Sequence, residues 1–199
     1  MGRKKGISDE QIVAAARRCF LTRGAGVSAA DVARELGVSH TTLFNRFGTK
    51  EGLMLAALGL PEKVPWVAVL DAGPDDRPIR EQLVEHSKVI SAYVHELEEG
   101  LAVLHAAGIS PARIEWEHKV DPPHVQALRA LTGWLGRAQD RGRLAKCDVE
   151  TLASTIIGAL HSWALFRRVC GGSESPAAGE RYVERFIDLL WNGIGGSKP

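Results

Sequence analysis

Residues 28–48 confine the fold more than any other stretch of the chain. Ser28-Ala29-Ala30-Asp31 reads as a capping box that opens a short helix, with Asp in the place more often held by Glu. Val32, Ala33 and Leu36 share its apolar side, and Gly37 fits the left-handed position that closes it. Ser39 then caps a second short helix, with Leu43 and Phe47 inward and Gly48 at its end. Small Ala33 lets the two helices approach, while Val38 and Leu43 fill the space between them. Two short helices joined by Leu36-Gly37-Val38-Ser39 predict a helix-turn-helix. Its physical use is to offer the start of the second helix to a DNA major groove.

The helical wheel assigns the faces. Thr41 and Asn45 lie opposite Leu43 and Phe47, with Thr42 and Phe44 on the flanks and His40 in the exposed first turn. Thr donates or accepts at base edges, and Asn pairs with adenine. Ser28 and Ser39, at the two helix starts, join the candidate DNA-binding set. Lys50 suits a phosphate, and Arg3, Lys4 and Lys5 precede the first helix as a basic arm for the backbone or minor groove. Charge agrees. Residues 1–52 hold nine Lys/Arg against five Asp/Glu, and the rest hold sixteen against nineteen, so a basic head precedes a slightly acidic body.

The remaining chain is expected to be helical. Ser8 caps a first helix with the stripe Ile12, Ala16, Cys19 and Phe20, and Thr49 caps a fourth. Strand signals are sparse; the only β-branched-rich run is Val64 to Leu70, broken by Pro65. Ile79 to Leu104 makes a long apolar stripe with a division expected at Gly100. Pro122-Pro123, Asp148 and Ser175-Pro176 begin three more helices. The expected fold is all-α with about nine helices. A three-helix DNA-binding domain would occupy residues 1–50, and a helical effector-binding and dimerisation domain residues 51–199.

The run Gly37-Val38-Ser39-His40-Thr41-Thr42-Leu43-Phe44-Asn45-Arg46-Phe47-Gly48-Thr49-Lys50-Glu51-Gly52-Leu53 resembles the recognition helix and following helix of the TetR (tetracycline-repressor) family. The similarity covers about residues 8–58. It implies an all-α homodimeric transcription regulator, usually a repressor, released from a palindromic operator by a small ligand. It also implies a phosphate contact for Lys50. Phe44 stands where the family often has Tyr, and so cannot donate that phenol's hydrogen bond to phosphate. Arg46 stands where the family often has His, and adds a cation near the backbone.

The helix from Asp148 is apolar nearly all round, which calls for cover on two sides. A four-helix contact between two copies would supply it through Leu152, Ile156 and Leu160, with Val183, Phe186, Ile187, Leu190 and Ile194 of the last helix. Palindrome recognition separately requires two heads. His86 and Ser87 interrupt the long stripe before Ile90, and buried polar groups need partners. A small apolar or aromatic effector is the expected partner. Tyr93, His105, Trp116, Trp134, His161, Trp163 and Phe166 are further pocket candidates.

Other classes fit less well. Glu115, Glu117, His118, Asp121 and His124 match no standard metal spacing across Pro122-Pro123 and read as a solvated loop, so no metal or cofactor is expected. Cys147 follows Lys146, which keeps a redox-responsive regulator as an alternative, besides a ligand-independent one. No nucleotide loop, GxSxG elbow or metal-ligand helix speaks for a small helical enzyme, the distant alternative. Three cysteines without CxxC spacing and no signal segment favour the cytoplasm. The uncharged stretch Thr151 to Phe166 is too short for a bilayer, so no membrane partner is expected.

Overall fold

The computed structural model describes residues 7–61, 63–110, 121–170 and 176–193. Among them all regular elements are helices: α1 (Asp9–Arg23), α2 (Ala29–Leu36), α3 (His40–Phe47), α4 (Lys50–Leu58), α5 (Val67–Asp71), α6 (Ile79–Ala106), α7 (Pro123–Asp140), α8 (Val149–Val169) and α9 (Pro176–Asn192). The all-α reading therefore holds. Arg3, Lys4, Lys5, Trp116 and Ile194 lie outside the described residues, as does Ser175, the expected cap of α9.

Short-range chemistry sets the first three helices. The Ser8 hydroxyl accepts from the Gln11 N–H, and the Gln11 side chain accepts from the Ser8 N–H. Ser28 and Asp31 close the same reciprocal box around the start of α2. Gly37 ends α2 at φ 65°, which a residue with a Cβ adopts only at a cost. The β-branched run near Val64 becomes the short α5.

Two compact units result. The first contains α1–α4 and the end of α6 from residue 96. Ile12, Phe20, Leu43, Leu53, Met54 and Leu58 are buried in its core, with Leu104 of α6. The boundary expected at residue 50 thus falls after α4 instead, because α4 buries its apolar face in the head's own core. The second unit holds α5, the first part of α6, and α7–α9. Its core gathers Leu70, Leu83, Ile90, Leu131, Trp134, Ile156, Leu160, Val183 and Ile187. Burying a side chain of this kind stabilises by about 1.5–3 kcal/mol.

The expected division at Gly100 is absent, since α6 runs unbroken for 28 residues. A mid-helix glycine costs only about 1 kcal/mol against alanine, too little to stop a packed helix. Here the missing side chain is needed, because a Cβ on Gly100 would lie 2.8 Å from the Leu58 carbonyl oxygen.

The expected dimer residues on α8 and α9 face inward. Ile156, Leu160, Val183 and Ile187 are fully buried within one chain, and Leu152, Phe186 and Leu190 pack partly against the same core. An apolar helix carries two candidate stripes, and periodicity does not say which one the chain's own core takes. The outward side shows Leu165 (44% exposed), Phe166 (67%), Val169 (74%), Leu189 (51%) and Trp191 (42%). α8 has 21 residues and is long and apolar enough to cross a membrane by length and composition, so length does not exclude a span as expected. Ala153, Ile156, Leu160 and Ala164 bury one side of it in the core.

Candidate nucleic-acid interface

The outer face of α3 is built by what anchors its inner face. Leu43 is buried, Phe47 is half-buried against the first core, and Val38 packs there too. This fixes the rotation of α3 and turns His40, Thr41, Phe44 and Asn45 to solvent. Phe44 is 59% exposed. Ser39 caps the helix, its hydroxyl accepting from the Thr42 N–H at 3.1 Å. The Thr42 hydroxyl lies 2.8 Å from that of Ser39, so half-buried Thr42 braces the cap as well as flanking the face. Ser28 is exposed at the start of α2, and its hydroxyl donates to Asp31 at 2.6 Å. The Ser28 hydroxyl holds the Asp31 carboxyl below its ordinary pKa. Asp31 therefore stays ionised beside the positive end of α2.

Two cations expected at the DNA backbone are occupied within the protein. Arg46 donates to the Ile7 carbonyl at 2.7 Å and to Asp9 at 2.8 Å, which ties α3 to the start of α1. The Lys50 ammonium donates to the Ala25 carbonyl at 2.6 Å and holds the turn between α1 and α2. Both side chains reach carbonyls that the sequence does not place beside them. Arg17, which the sequence reading passed over, donates to the carbonyls of Ala57 at 3.1 Å and Glu96 at 2.8 Å. It links α1 to the ends of α4 and of the α6 segment in this unit. No local pattern signals a bond across 40 or 79 residues.

Of the pocket candidates, the second unit brings only some together. His86 is half-buried, and its ring stands edge-on to fully buried Trp134 with centroids 5.1 Å apart. Burial pushes the His86 imidazole below its ordinary pKa, against Glu85, which raises it. Ser87 and Ile90 are buried, and Tyr93 meets Trp66 edge-on at 6.3 Å. A small open depression of about 50 Å³ is lined by Trp66, Val69, Leu70, His86, Val89 and Ile90. Trp66 was missed because it stands in a proline-bounded connector, outside any periodic stripe. Trp163 instead stacks on Tyr182 at 4.1 Å, in the seam of α8 and α9, and His161 is half-buried on α8. Phe166 faces out, and His105 is exposed in the first unit, so neither lines an interior site. All three cysteine thiols are free. Cys19 is buried and donates to Glu35, and burial raises its pKa, which leaves it a poor nucleophile. Among the described residues no group of His, Cys, Asp and Glu forms a metal site.

A capped three-helix head with an exposed polar and aromatic face on its last helix defines a helix-turn-helix DNA-binding protein. Residues 12–57 match the family model described as bacterial regulatory proteins, tetR family. The chain is 35% identical over 85 residues to the HTH-type transcriptional repressor BdcR of Escherichia coli (strain K12). That match covers 42% of this chain and 43% of BdcR, so the chain spans under half the length of this relative. The solved TetR-family transcriptional regulator PfmR of Thermus thermophilus superposes with a TM-score of 0.61 at 20% identity, over 96% of this chain and all of that one. The TetR transcriptional regulator SCO0520 of Streptomyces coelicolor does so with a TM-score of 0.56 at 24% identity, again over 96% and 100%. These two share the fold. Residues 12–57 thus resemble the DNA-binding head of the tetR family of bacterial regulatory proteins, and the whole chain shares the fold of solved regulators of that family.

Proposed function

We propose that the chain is a cytoplasmic transcriptional repressor that binds a palindromic operator as a homodimer and leaves it when a small apolar or aromatic effector binds. The observation that carries the DNA reading is the outward face of α3. His40, Thr41, Phe44 and Asn45 are exposed there while Leu43 anchors the helix from behind. Asn45 and Thr41 read base edges, and the Phe44 ring packs on sugar or a thymine methyl. Lys50, and the arm Arg3, Lys4 and Lys5, add affinity through phosphate. Lys50 does so with the N–H groups that its Ala25 bond leaves over. The name of BdcR supports the sign of regulation. The outward apolar side of α8 and α9 supports the second copy, because a patch of Leu165, Phe166, Val169 and Leu189 is costly to leave in water. Unpartnered polar groups inside the second unit support an effector there.

The test begins with selection of DNA fragments by the purified protein. Asn45→Ala should then cost about 1–3 kcal/mol on the selected operator and relax preference at one base position. An unchanged preference would show that α3 is not the reading helix.

A further inference from the structure

Polar groups in the core of the second unit fall into two kinds. Gln82 is buried and fully engaged: it accepts from the Asp75 N–H and donates to the carbonyls of Asp75 and Arg77. Ser87, five residues further along α6, is equally buried, yet its hydroxyl has no hydrogen-bond partner in the protein. The indole N–H groups of Trp66 and Trp134 are buried without a partner as well. A buried group left in this condition is unusual, because nearly all such groups are satisfied. Trp66 and Trp134 share one core, and Ser87 follows His86 directly in α6. Trp66 lines the depression between α5 and α6, and His86, which also lines it, touches the edge of Trp134. Val69 and Val89 form its mouth and are 59% and 52% exposed.

An indole N–H only donates, so the missing partner is an acceptor. The lining contains no Lys, Arg, Asp or Glu, so a buried ion would have no countercharge. From this we infer that the depression is the mouth of the effector site, and that its ligand is an uncharged carbonyl compound on an apolar body, such as a ketone, ester or amide, whose oxygen takes the indole N–H of Trp66 or Trp134. Burial keeps the His86 imidazole neutral, which suits an uncharged guest. The inference rests on the reading of this unit as an effector domain, and it adds the entrance and the class of ligand.

Acetophenone and cumene are near-isosteric probes that differ in one acceptor oxygen, and benzoate adds a charge. Indole N–H resonances of the ¹⁵N-labelled full chain report contact directly, with Trp66→Phe and Trp134→Phe giving the assignments. Acetophenone should move the Trp66 or Trp134 resonance downfield and bind about tenfold tighter than cumene. Benzoate should move neither at pH 7.5. Val89→Trp, at an exposed position, should leave the melting temperature unchanged and weaken acetophenone about tenfold or more by blocking the mouth. No indole shift with acetophenone overturns the inference. So do equal binding of acetophenone and cumene, benzoate binding as tight as the ketone, or unchanged affinity in a folded Val89→Trp chain. The same samples are titrated against the selected operator. Acetophenone that moves the indoles but leaves operator affinity unchanged would overturn the effector reading and keep this site. An operator released by other compounds with no indole shift would do the reverse.

Discussion

Gly100→Ala sets helix propensity against packing, and the structure decides the sign. In an open helix the change should stabilise by about 1 kcal/mol, through lower backbone entropy in the unfolded chain. At Gly100 the added Cβ would sit 2.8 Å from the Leu58 carbonyl oxygen, a backbone atom at the end of α4. The contact must open by about half an ångström to reach ordinary van der Waals distance, and overpacking of this kind costs about 1–3 kcal/mol. The net expectation is a loss of up to about 2 kcal/mol, or a melting temperature lower by up to about 8 °C in a chain of this size. Gly136 of α7 is the control, because its Cβ would meet nothing within 4 Å. Gly136→Ala should raise the melting temperature by about 2–4 °C. Gly100→Ala should also weaken operator binding, since α4 packs on α1 and α3 and its end is held by Arg17. Thermal unfolding followed by circular dichroism reads both variants. A rise for Gly100→Ala equal to that for Gly136→Ala would refute the argument that α6 needs a bare backbone here.

Phe166→Glu and Val169→Glu should leave folding intact and yield monomers by sedimentation with weakened operator binding, whereas Leu160→Asp, at a fully buried position, should unfold the chain at a cost of several kcal/mol. Dimers of Phe166→Glu at micromolar concentration would remove the outward face of α8 from the interface. Burial holds the folded His86 below its ordinary pKa, although Glu85 and Asp75 oppose this and Arg77 reinforces it. The stability that neutral His86 contributes is therefore complete above the unfolded value, roughly 6.5, and is lost as pH falls through the lower folded value. Urea midpoints at pH 7.5 and 5.5 should drop further for the wild type than for His86→Gln, and equal drops would speak against a desolvated imidazole.

What could be read from the sequence was governed by short range. The caps at Ser8, Ser28 and Ser39 and the turn at Gly37 depend on neighbours within four residues, and they stand as expected. The rotation of α3 followed from the helical period, because only Leu43 and Phe47 are large and apolar on a side that Ala33 and Val38 can meet. The bonds that hold the cations were not legible. Lys50 reaches 25 residues back to Ala25, and Arg46 reaches 39 back to Ile7. Both read from the chain as free charges, since nothing local predicts a carbonyl at that distance. α8 failed for a different reason. With Ile156 and Leu160 on one stripe and Leu165, Phe166 and Val169 on another, hydrophobicity alone gives no preference for the core side. Small Ala153 and Ala164 on the buried side allow close packing on α7, and that contact settles the choice.

Gln82 and Ser87 carry this distinction to the level of single side chains. Each is a buried polar residue on α6, and composition gives them the same standing. Gln82 closes the loop before α6 through three bonds to Asp75 and Arg77, so its polarity serves the fold. Gln82→Ala should remove those bonds and leave the Asp75 N–H without its acceptor, while Arg143 still donates to both carbonyls, destabilising by about 1–3 kcal/mol. Ser87 serves no bond in the protein, so its hydroxyl keeps its desolvation penalty without return. Ser87→Ala should therefore be neutral or stabilise by up to about 1 kcal/mol, the reverse of a structural serine. It should at the same time weaken acetophenone, because a hydroxyl retained against stability is expected where binding uses it. Urea unfolding separates the two cases. A Ser87→Ala chain that loses stability as Gln82→Ala does would show that the fold itself needs this hydroxyl, and the argument for a ligand at α6 would lose one of its three donors.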